Sequence, residues 1–217
     1  MAAKLLKKEL KLCLHPAALI MLGLSAMVLI PNYPYTVIFF YTALGLFFIN
    51  QGARENRDVT FTLTLPVAKK DAVTGRFLLS ILQQGAAVLL TTVMTPVRAA
   101  VLSAPNAAGM DANLALAGEG LLMFGVFNLV FYPDHYRDVS RVGVPFFKAS
   151  VVLFLIVTAD IVCTYAVPLF RDVLDTPDPQ NLGAKLVFDG VCLLCYAGLT
   201  FLSLRLSQAR FQKQDIR

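Results

Sequence analysis

The sequence predicts an all-α membrane protein with six transmembrane helices, cytoplasmic N- and C-termini, and an amphipathic interfacial helix at the N-terminus. Three observations predict it. Hydrophobic residues make up 57% of the 217 and charged residues only 15%, against about 25% charged in a soluble domain, and the mean hydropathy is +0.67. Six apolar segments approach the roughly 20 residues that cross a hydrocarbon core. Lys and Arg collect in alternate connections between those segments. Neither a repeat nor a low-complexity linker divides the chain, so residues 1–217 read as a single domain.

The N-terminal segment 2–14 carries Lys4, Lys7, Lys8 and Lys11 at i, i+3, i+4 and i+7, on one face of a helix. Such a helix is expected to lie flat on an anionic leaflet, its lysines turned to headgroups and water. Lys4, Lys7 and Lys8 followed by the apolar run Ala18 to Ile30 resemble a signal peptide, but further long apolar segments come after them, so a retained first span is expected. The spans are expected at about 16–30, 35–50, 77–96, 114–132, 146–170 and 186–206. Pro31-Asn32-Tyr33-Pro34 separates the first two, because two prolines in four residues end one helix and start the next.

Orientation comes from the basic residues. With the N-terminus inside, the N-terminal segment, the 51–76 loop, the 133–148 region and the C-terminus hold 16 of the 19 Lys and Arg. Only Arg98, Arg171 and Lys185 fall outside, and the outer 171–185 loop also carries Asp172, Asp175 and Asp178.

The 51–76 loop is long and charged. Pro66 suits the first turn of a helix, where its missing N–H costs nothing. From Val67 nothing breaks the pattern strongly before Pro96. That length, at 1.5 Å per residue, exceeds the ~30 Å core, so the helix is expected to project inward and carry Lys69, Lys70 and Asp71 on a rigid knob.

Glu55, Leu65-Pro66-Val67, Lys69, Lys70, Val73 and Arg76-Phe77 resemble the cytoplasmic loop of the short ABC-2 type transporter permeases, which pair with a separate ATPase. Phe131-Tyr132-Pro133 through Arg137 and Arg141 is similar to their second inner loop, although Val142-Gly143-Val144 only loosely matches the usual aromatic-glycine pair. The resemblance covers nearly the whole chain in length, span count and topology. It implies a transmembrane permease domain, paired with a second permease subunit as a homo- or heterodimer and clasped by ABC ATPase subunits. It also implies a multi-pass protein of a bacterial plasma membrane, exporting an amphipathic or hydrophobic substrate, peptides among them, by alternating access. The ATPase-docking residues it implies are Glu55, Leu65, Pro66, Val67, Lys69, Lys70, Asp71, Val73, Arg137 and Arg141.

The chain has no G-x-x-x-x-G-K-[ST] loop. No cofactor is expected in it; ATP and Mg would be bound by the partner ATPase. Polar residues within spans are costly and mark candidate substrate-pathway positions: Asp160, Gln83, Gln84 and Asn128. Each could equally form a helix–helix hydrogen bond. Asp189 lies near the outer end of the sixth span. Cys192 and Cys195 form a C-x-x-C within an apolar helix without other metal ligands, and read as packing residues.

Other classes fit less well. An intramembrane enzyme needs convergent catalytic groups. His15 and His135 lie at helix ends, no H-E-x-x-H occurs, and no span carries two carboxylates at helical spacing. An ion- or proton-coupled carrier acting without an ATPase remains the alternative, although the repeats and broken helices common in such carriers are not evident. Without a basic stripe interleaved with aromatics, nucleic acid is not an expected partner.

Overall fold

The structure is a computed structural model that describes residues 2–102 and 105–214. Every regular element among them is helical. Helix α1 spans Ala2–Leu12, α2 Pro16–Gly23 with a 3-10 continuation over Leu24–Leu29, α3 Val37–Glu55, α4 Asp58–Thr64, α5 Lys69–Val101, α6 Ala115–His135, α7 Gly143–Ala166 and α8 Leu182–Gln212. A short π-helical segment, Phe170–Leu174, precedes α8. By length and composition, α5, α6, α7 and α8 are four candidate spans, or five if the bent pair formed by α1 and α2 counts as one.

The expected first span departs most from expectation. α1 is helical and meets the next segment at 89°. His15 makes the corner: its Nδ1 accepts from the Ala17 amide at 3.1 Å, and Pro16 occupies the first turn, where no N–H is missed. The segment expected as one helix over 16–30 is therefore broken. Its last six residues tighten into a 3-10 helix, whose larger rise stretches the whole to about 24 Å, still short of the ~30 Å core. Pro31 to Pro34 turn the chain as expected, with Asn32 at φ 54° and the Tyr35 hydroxyl donating to the Ile30 carbonyl at 3.0 Å.

Helix α5 starts at Lys69, not at Pro66 as the sequence suggested. Leu65 is extended and Ala68 caps the helix with extended backbone, so Pro66 belongs to the connection that reverses the chain after α4. α5 still runs 33 residues with Pro96 inside it, about 50 Å at 1.5 Å per residue. Helix α6 passes through Pro133 and ends at His135, three residues beyond the expected end at 132. α7 stops at Ala166, ahead of Pro168, as the residue before a proline avoids helical backbone. α8 is longer than expected at both ends.

α6 and α8 make the most extensive helix pair. Gly118 and Gly125, seven residues apart on α6, let them approach. A Cβ at Gly125 would stand 3.1 Å from the Tyr196 Cα, and one at Gly118 would stand 3.2 Å from the Asp189 Cα. Close approach over small residues is the usual packing device where apolar surface alone gives no drive to associate.

A polar clasp then locks the bundle. Gln84 on α5 and Asn128 on α6, both 0% exposed, exchange hydrogen bonds: Gln84 Nε2 donates to Asn128 Oδ1 at 2.7 Å, and Asn128 Nδ2 donates to Gln84 Oε1 at 3.1 Å. Asn128 Nδ2 also donates to Thr200 Oγ1 at 3.0 Å, and the Tyr196 hydroxyl donates to Gln84 Oε1 at 2.9 Å. Ser203 Oγ donates to the Asn128 carbonyl. Three helices are thus tied at one level. Ser80 and Tyr132 make a second hydroxyl contact between α5 and α6.

The clasp gives a direct prediction. Asn128→Leu leaves the Gln84 amide without its partner and should cost about 1–2 kcal/mol, the range for interhelical hydrogen bonds in membranes. Gln84→Leu combined with Asn128→Leu should recover part of it. Thermal unfolding in nanodiscs measures both; an unchanged melting temperature in the single variant would show that the clasp carries no stability.

Candidate functional site

Two places concentrate polar chemistry: the end that carries α1 and the last turns of α8, and a cavity in the opposite half. At the first, the chain's connections converge. Lys69 Nζ donates to the Gln214 carbonyl at 2.5 Å, Arg210 Nη1 to the Pro133 carbonyl at 2.7 Å, Arg54 Nη1 to the Ser140 carbonyl at 3.3 Å, and Gln214 Nε2 to the Tyr136 carbonyl at 3.0 Å. The N-terminal helix, both intervening loops and residue 214 therefore lie together at one end.

Beneath this surface is an ion cluster. Arg76 on α5 is 4% exposed. Its Nε lies 2.9 Å from Glu9 Oε2 on α1, and its Nη2 lies 2.9 Å from Asp58 Oδ2 on α4. Lys8 Nζ lies 2.5 Å from Asp58 Oδ1 and 3.1 Å from Glu9 Oε1, and donates to Thr62 Oγ1 at 2.7 Å. Two cations and two anions from three helices thus compensate one another out of water, the condition under which buried charge is tolerated. Burial alone would pull the Lys8 ammonium down, but Glu9 and the hydrogen-bonded Asp58 hold it above its ordinary value.

This arrangement corrects one expectation. Lys8 does not share the outward face of Lys4, Lys7 and Lys11; it turns inward with Leu5 and Glu9. Arg76 is buried and anchors the cluster. The close approach that brings α1 onto α5 is made at Gly75, where a Cβ would stand 3.2 Å from the Leu5 Cβ. Glu9, Asp58 and Cys13 also bring ligand-type atoms within 4.8 Å of one another. The two carboxylates are already matched to Arg76 and Lys8, and burial pushes the Cys13 thiol up to about 12, so it stays protonated. That donor set suits a structural ion cluster better than a metal.

The expected docking residues surround this cluster. Glu55, Leu65, Pro66 and Lys70 are exposed, and Val67, Lys69 and Asp71 are partly so. The Glu55 carboxylate accepts from Gln51 Nε2 at 2.8 Å. Val73 is fully buried in the core and offers nothing to a partner. Arg137 and Arg141 are exposed on the second loop. Arg141 pairs with Asp138 at 3.0 Å, and the Ser140 hydroxyl and amide hold the Asp138 carboxylate below its ordinary range. Helix α4, with Phe61 half exposed, projects beside Leu65 and was not anticipated as a separate helix.

The pathway candidates separate on inspection. Gln84 and Asn128 are consumed by the clasp. Gln83 is buried against α2, its Nε2 donating to the Ala18 carbonyl at 3.4 Å. Asp160 lies elsewhere, on α7, where Oδ2 accepts from Thr36 Oγ1 at 3.2 Å. It lines a cavity of about 190 Å³ with Leu122, Met123, Phe170 and Phe188. Glu119 on α6 lies on the same cavity. Glu119 was missed in the sequence, although a carboxyl in the middle of an apolar run is the signal that singled out Asp160.

The opposite end is closed by its own pairs. Arg98 Nη1 meets Asp111 Oδ1 at 2.7 Å and its Nε donates to the Tyr35 hydroxyl at 2.9 Å. Lys185, fully buried, donates to Asp178 Oδ1 at 2.7 Å. Asn113 Nδ2 donates to the Leu174 carbonyl at 2.7 Å.

No curated protein and no solved structure matches the chain significantly. The family model described as ABC-2 family transporter protein matches residues 4–208. That match takes in α4, the ion cluster, both carboxyls and most of α1 and α8, and agrees with the resemblance carried by the loop residues. The chain therefore belongs to the ABC-2 family of transporter proteins.

Proposed function

We propose that this chain is the membrane-spanning permease subunit of an ATP-driven ABC exporter. It spans the bilayer six times with both ends in the cytoplasm. It works as a dimer of permease subunits with a separate ATPase, and moves an amphipathic or hydrophobic substrate across a bacterial plasma membrane. The observation that carries this reading is the knob made by α4 and residues 65–70, clamped onto α1 and α5 by the ion cluster. A short exposed helix fastened rigidly to a long membrane helix is what a soluble motor needs in order to move the spans. The broken α2 segment and α3 supply the two spans beyond the four long helices, and α1, at 89° to the α2 segment, lies along the inner leaflet with Lys4, Lys7 and Lys11 outward.

A second reading, an ion- or proton-coupled carrier without an ATPase, is favoured by the Glu119–Asp160 pair alone. Purification of the chain from its own host decides between the two: a stoichiometric ATPase supports the first reading, and full transport by the isolated chain supports the second.

Four outcomes are expected. Single cysteines at Asn56 and Asn181, in a chain lacking its native four, should react with impermeant reagents from opposite sides; labelling from one side would overturn the topology. Leu65→Asp with Val67→Asp should release the ATPase or uncouple hydrolysis from transport, since apolar anchors carry most contact energy. Lys69→Glu with Lys70→Glu should slow assembly and make it salt-sensitive, so retention of partner and coupling in both pairs of variants would place docking elsewhere. Asp58→Asn leaves Lys8 and Arg76 to share Glu9 alone and should cost about 3–5 kcal/mol, read as a lowered melting temperature and faster proteolysis of α1; a shift within error would remove the cluster's structural role.

A further inference from the structure

A helix that leaves lipid for water changes its exposed residues from apolar to charged at the level of the headgroups, and a cation set there meets phosphate before bulk water. One stripe of α8 makes this change. Cys195, Leu199, Leu202, Leu206, Arg210 and Lys213 recur at spacings of three and four, so they share one face. Leu202 is 48% exposed and Leu206 39%. Beside them, a Cβ at Gly198 would meet nothing within 4 Å. The stripe is an open apolar track that ends in two cations.

Arg210 and Lys213 line a groove of about 360 Å³ together with Gln214 and with Arg137 from the loop after α6. Two of its walls are tied in place: Arg210 Nη1 donates to the Pro133 carbonyl at 2.7 Å, and Gln214 Nε2 to the Tyr136 carbonyl at 3.0 Å. Among the described residues no carboxylate lines the groove, and the side chains of Arg137 and Lys213 have no hydrogen-bond or ion-pair partner. The neighbouring cavity at the start of α7 differs. It holds Arg141 and Lys148, but Asp138 and Asp134 pair with them at 3.0 and 2.7 Å. Uncompensated positive charge therefore collects on the α8 side of Arg137.

Depth follows from the next residue along α8. Phe211 packs edge-on against Tyr136, their centroids 5.3 Å apart, and both line the small cavity of the ion cluster with Glu9 of α1 and Arg76. The groove thus stands at the level of α1, the helix read as lying on the inner leaflet. Its occupant carries negative charge at that level and an apolar chain along Leu206 and Leu202. A guanidinium takes two phosphate oxygens at once and an ammonium adds a point charge. A zwitterionic headgroup would bring a cation of its own into a groove that already holds three, and an acidic peptide would leave the apolar track uncovered.

We propose that the groove of Arg137, Arg210 and Lys213 is a binding site for the headgroup of an anionic phospholipid whose acyl chain lies along the Leu202–Leu206 stripe of α8. Arg137, expected at the ATPase surface, belongs to this site instead. Its place in the inner leaflet rests on the permease reading; the binding itself does not, and it is tested on the isolated chain.

The chain contains no tryptophan, so a single introduced one reports alone. Leu202→Trp reports on the stripe. Leu155→Trp on α7, at a position 65% exposed, is the control at similar depth. Lys148 pairs with Asp134, the neighbour of the Pro133 whose carbonyl holds Arg210, and Leu155 lies seven residues beyond Lys148 as Leu202 lies eight before Arg210. Each full chain is placed in phosphatidylcholine nanodiscs with a minor fraction of phosphatidylglycerol, the acyl chains of one lipid or the other carrying bromine as quencher. At Leu202→Trp, phosphatidylglycerol should be favoured roughly tenfold over phosphatidylcholine, the order expected for two or three cations at headgroup level. At Leu155→Trp the two lipids should quench alike. Arg137→Gln with Lys213→Gln should bring the preference at Leu202→Trp down to that of the control. Equal quenching by the two lipids at Leu202→Trp, an equal preference at Leu155→Trp, or a preference that survives the glutamine pair would overturn the proposal. So would absence of the preference together with loss of a co-purifying ATPase in the glutamine pair, which would give the groove to a protein. If the glutamine pair does not yield a folded chain, Arg137→Lys with Lys213→Arg decides: the charge is kept, so a retained preference supports the site and a lost one overturns it. Neither an ATPase nor transport enters the quenching measurement, and the two nanodisc leaflets are alike, so failure of the permease reading and failure of the site are separable.

Discussion

Charge that is taken out of water must be neutralised where it lies, and the rest of this fold is arranged around that constraint. Arg76 sits inside the bundle on a helix that cannot bend away from it. Its neutralisation requires Glu9 from α1 and Asp58 from α4, two elements far apart in sequence and neither long enough to be stable alone. The positions of α1 and α4 are therefore set less by their own sequence than by one guanidinium. The same rule recurs at the other end, where Arg98 takes Asp111 and Lys185 takes Asp178, fixing the connections before α6 and α8.

Apolar packing is a weaker organiser here than in a soluble domain. Many of the large side chains on α7 and α8 are exposed, as suits helices that face lipid or a second subunit. Association has to come from close packing and polar pairing instead. Gly118 and Gly125 provide the first and the Gln84–Asn128 clasp the second. The two devices meet on α6, which is the most buried of the four long apolar helices and the one against which the others are placed.

Much of this was legible in the sequence because it depends on local patterning. Apolar run lengths located α5 to α8, the paired prolines located the turn before α3, and the alternation of Lys and Arg grouped the connections that converge at one end. What was not legible depends on partners brought from a distance. Lys8 looked like its neighbours on the helical wheel, and nothing local says that Asp58 will draw it inward. Pro66 looked like a first-turn proline, but an extended Leu65 after a separate short helix moved the start of α5 to Lys69. Gln84 and Asn128 carried the same mark as Asp160, a polar residue in an apolar span. Only their mutual distance separates a pair that is fully satisfied from a carboxyl that is not. The carboxyl pair itself was invisible to a search along single helices, because Glu119 and Asp160 come from two.

The two ends are joined by a continuous physical path. The ion cluster fastens α4 to α5 at Arg76. Eight residues further along the same helix Gln84 grips Asn128 on α6, and on the same α6, nine residues before Asn128, stands Glu119. A push on α4 cannot be absorbed at Arg76 without stranding charge, nor at Gln84 without stranding an amide, so displacement of α5 is passed to α6 more cheaply than it is dissipated. α7 is joined to α6 by the Lys148–Asp134 ion pair at 2.7 Å and meets it again at the cavity that Asp160 and Glu119 both line. Movement of α6 relative to α7 would therefore change the shape of that cavity. Connectivity alone supplies no energy. Under the permease reading the energy comes from the partner's differential affinity for ATP in its two states, and the path explains why a fastening at one end and a carboxyl pair at the other belong to a single device.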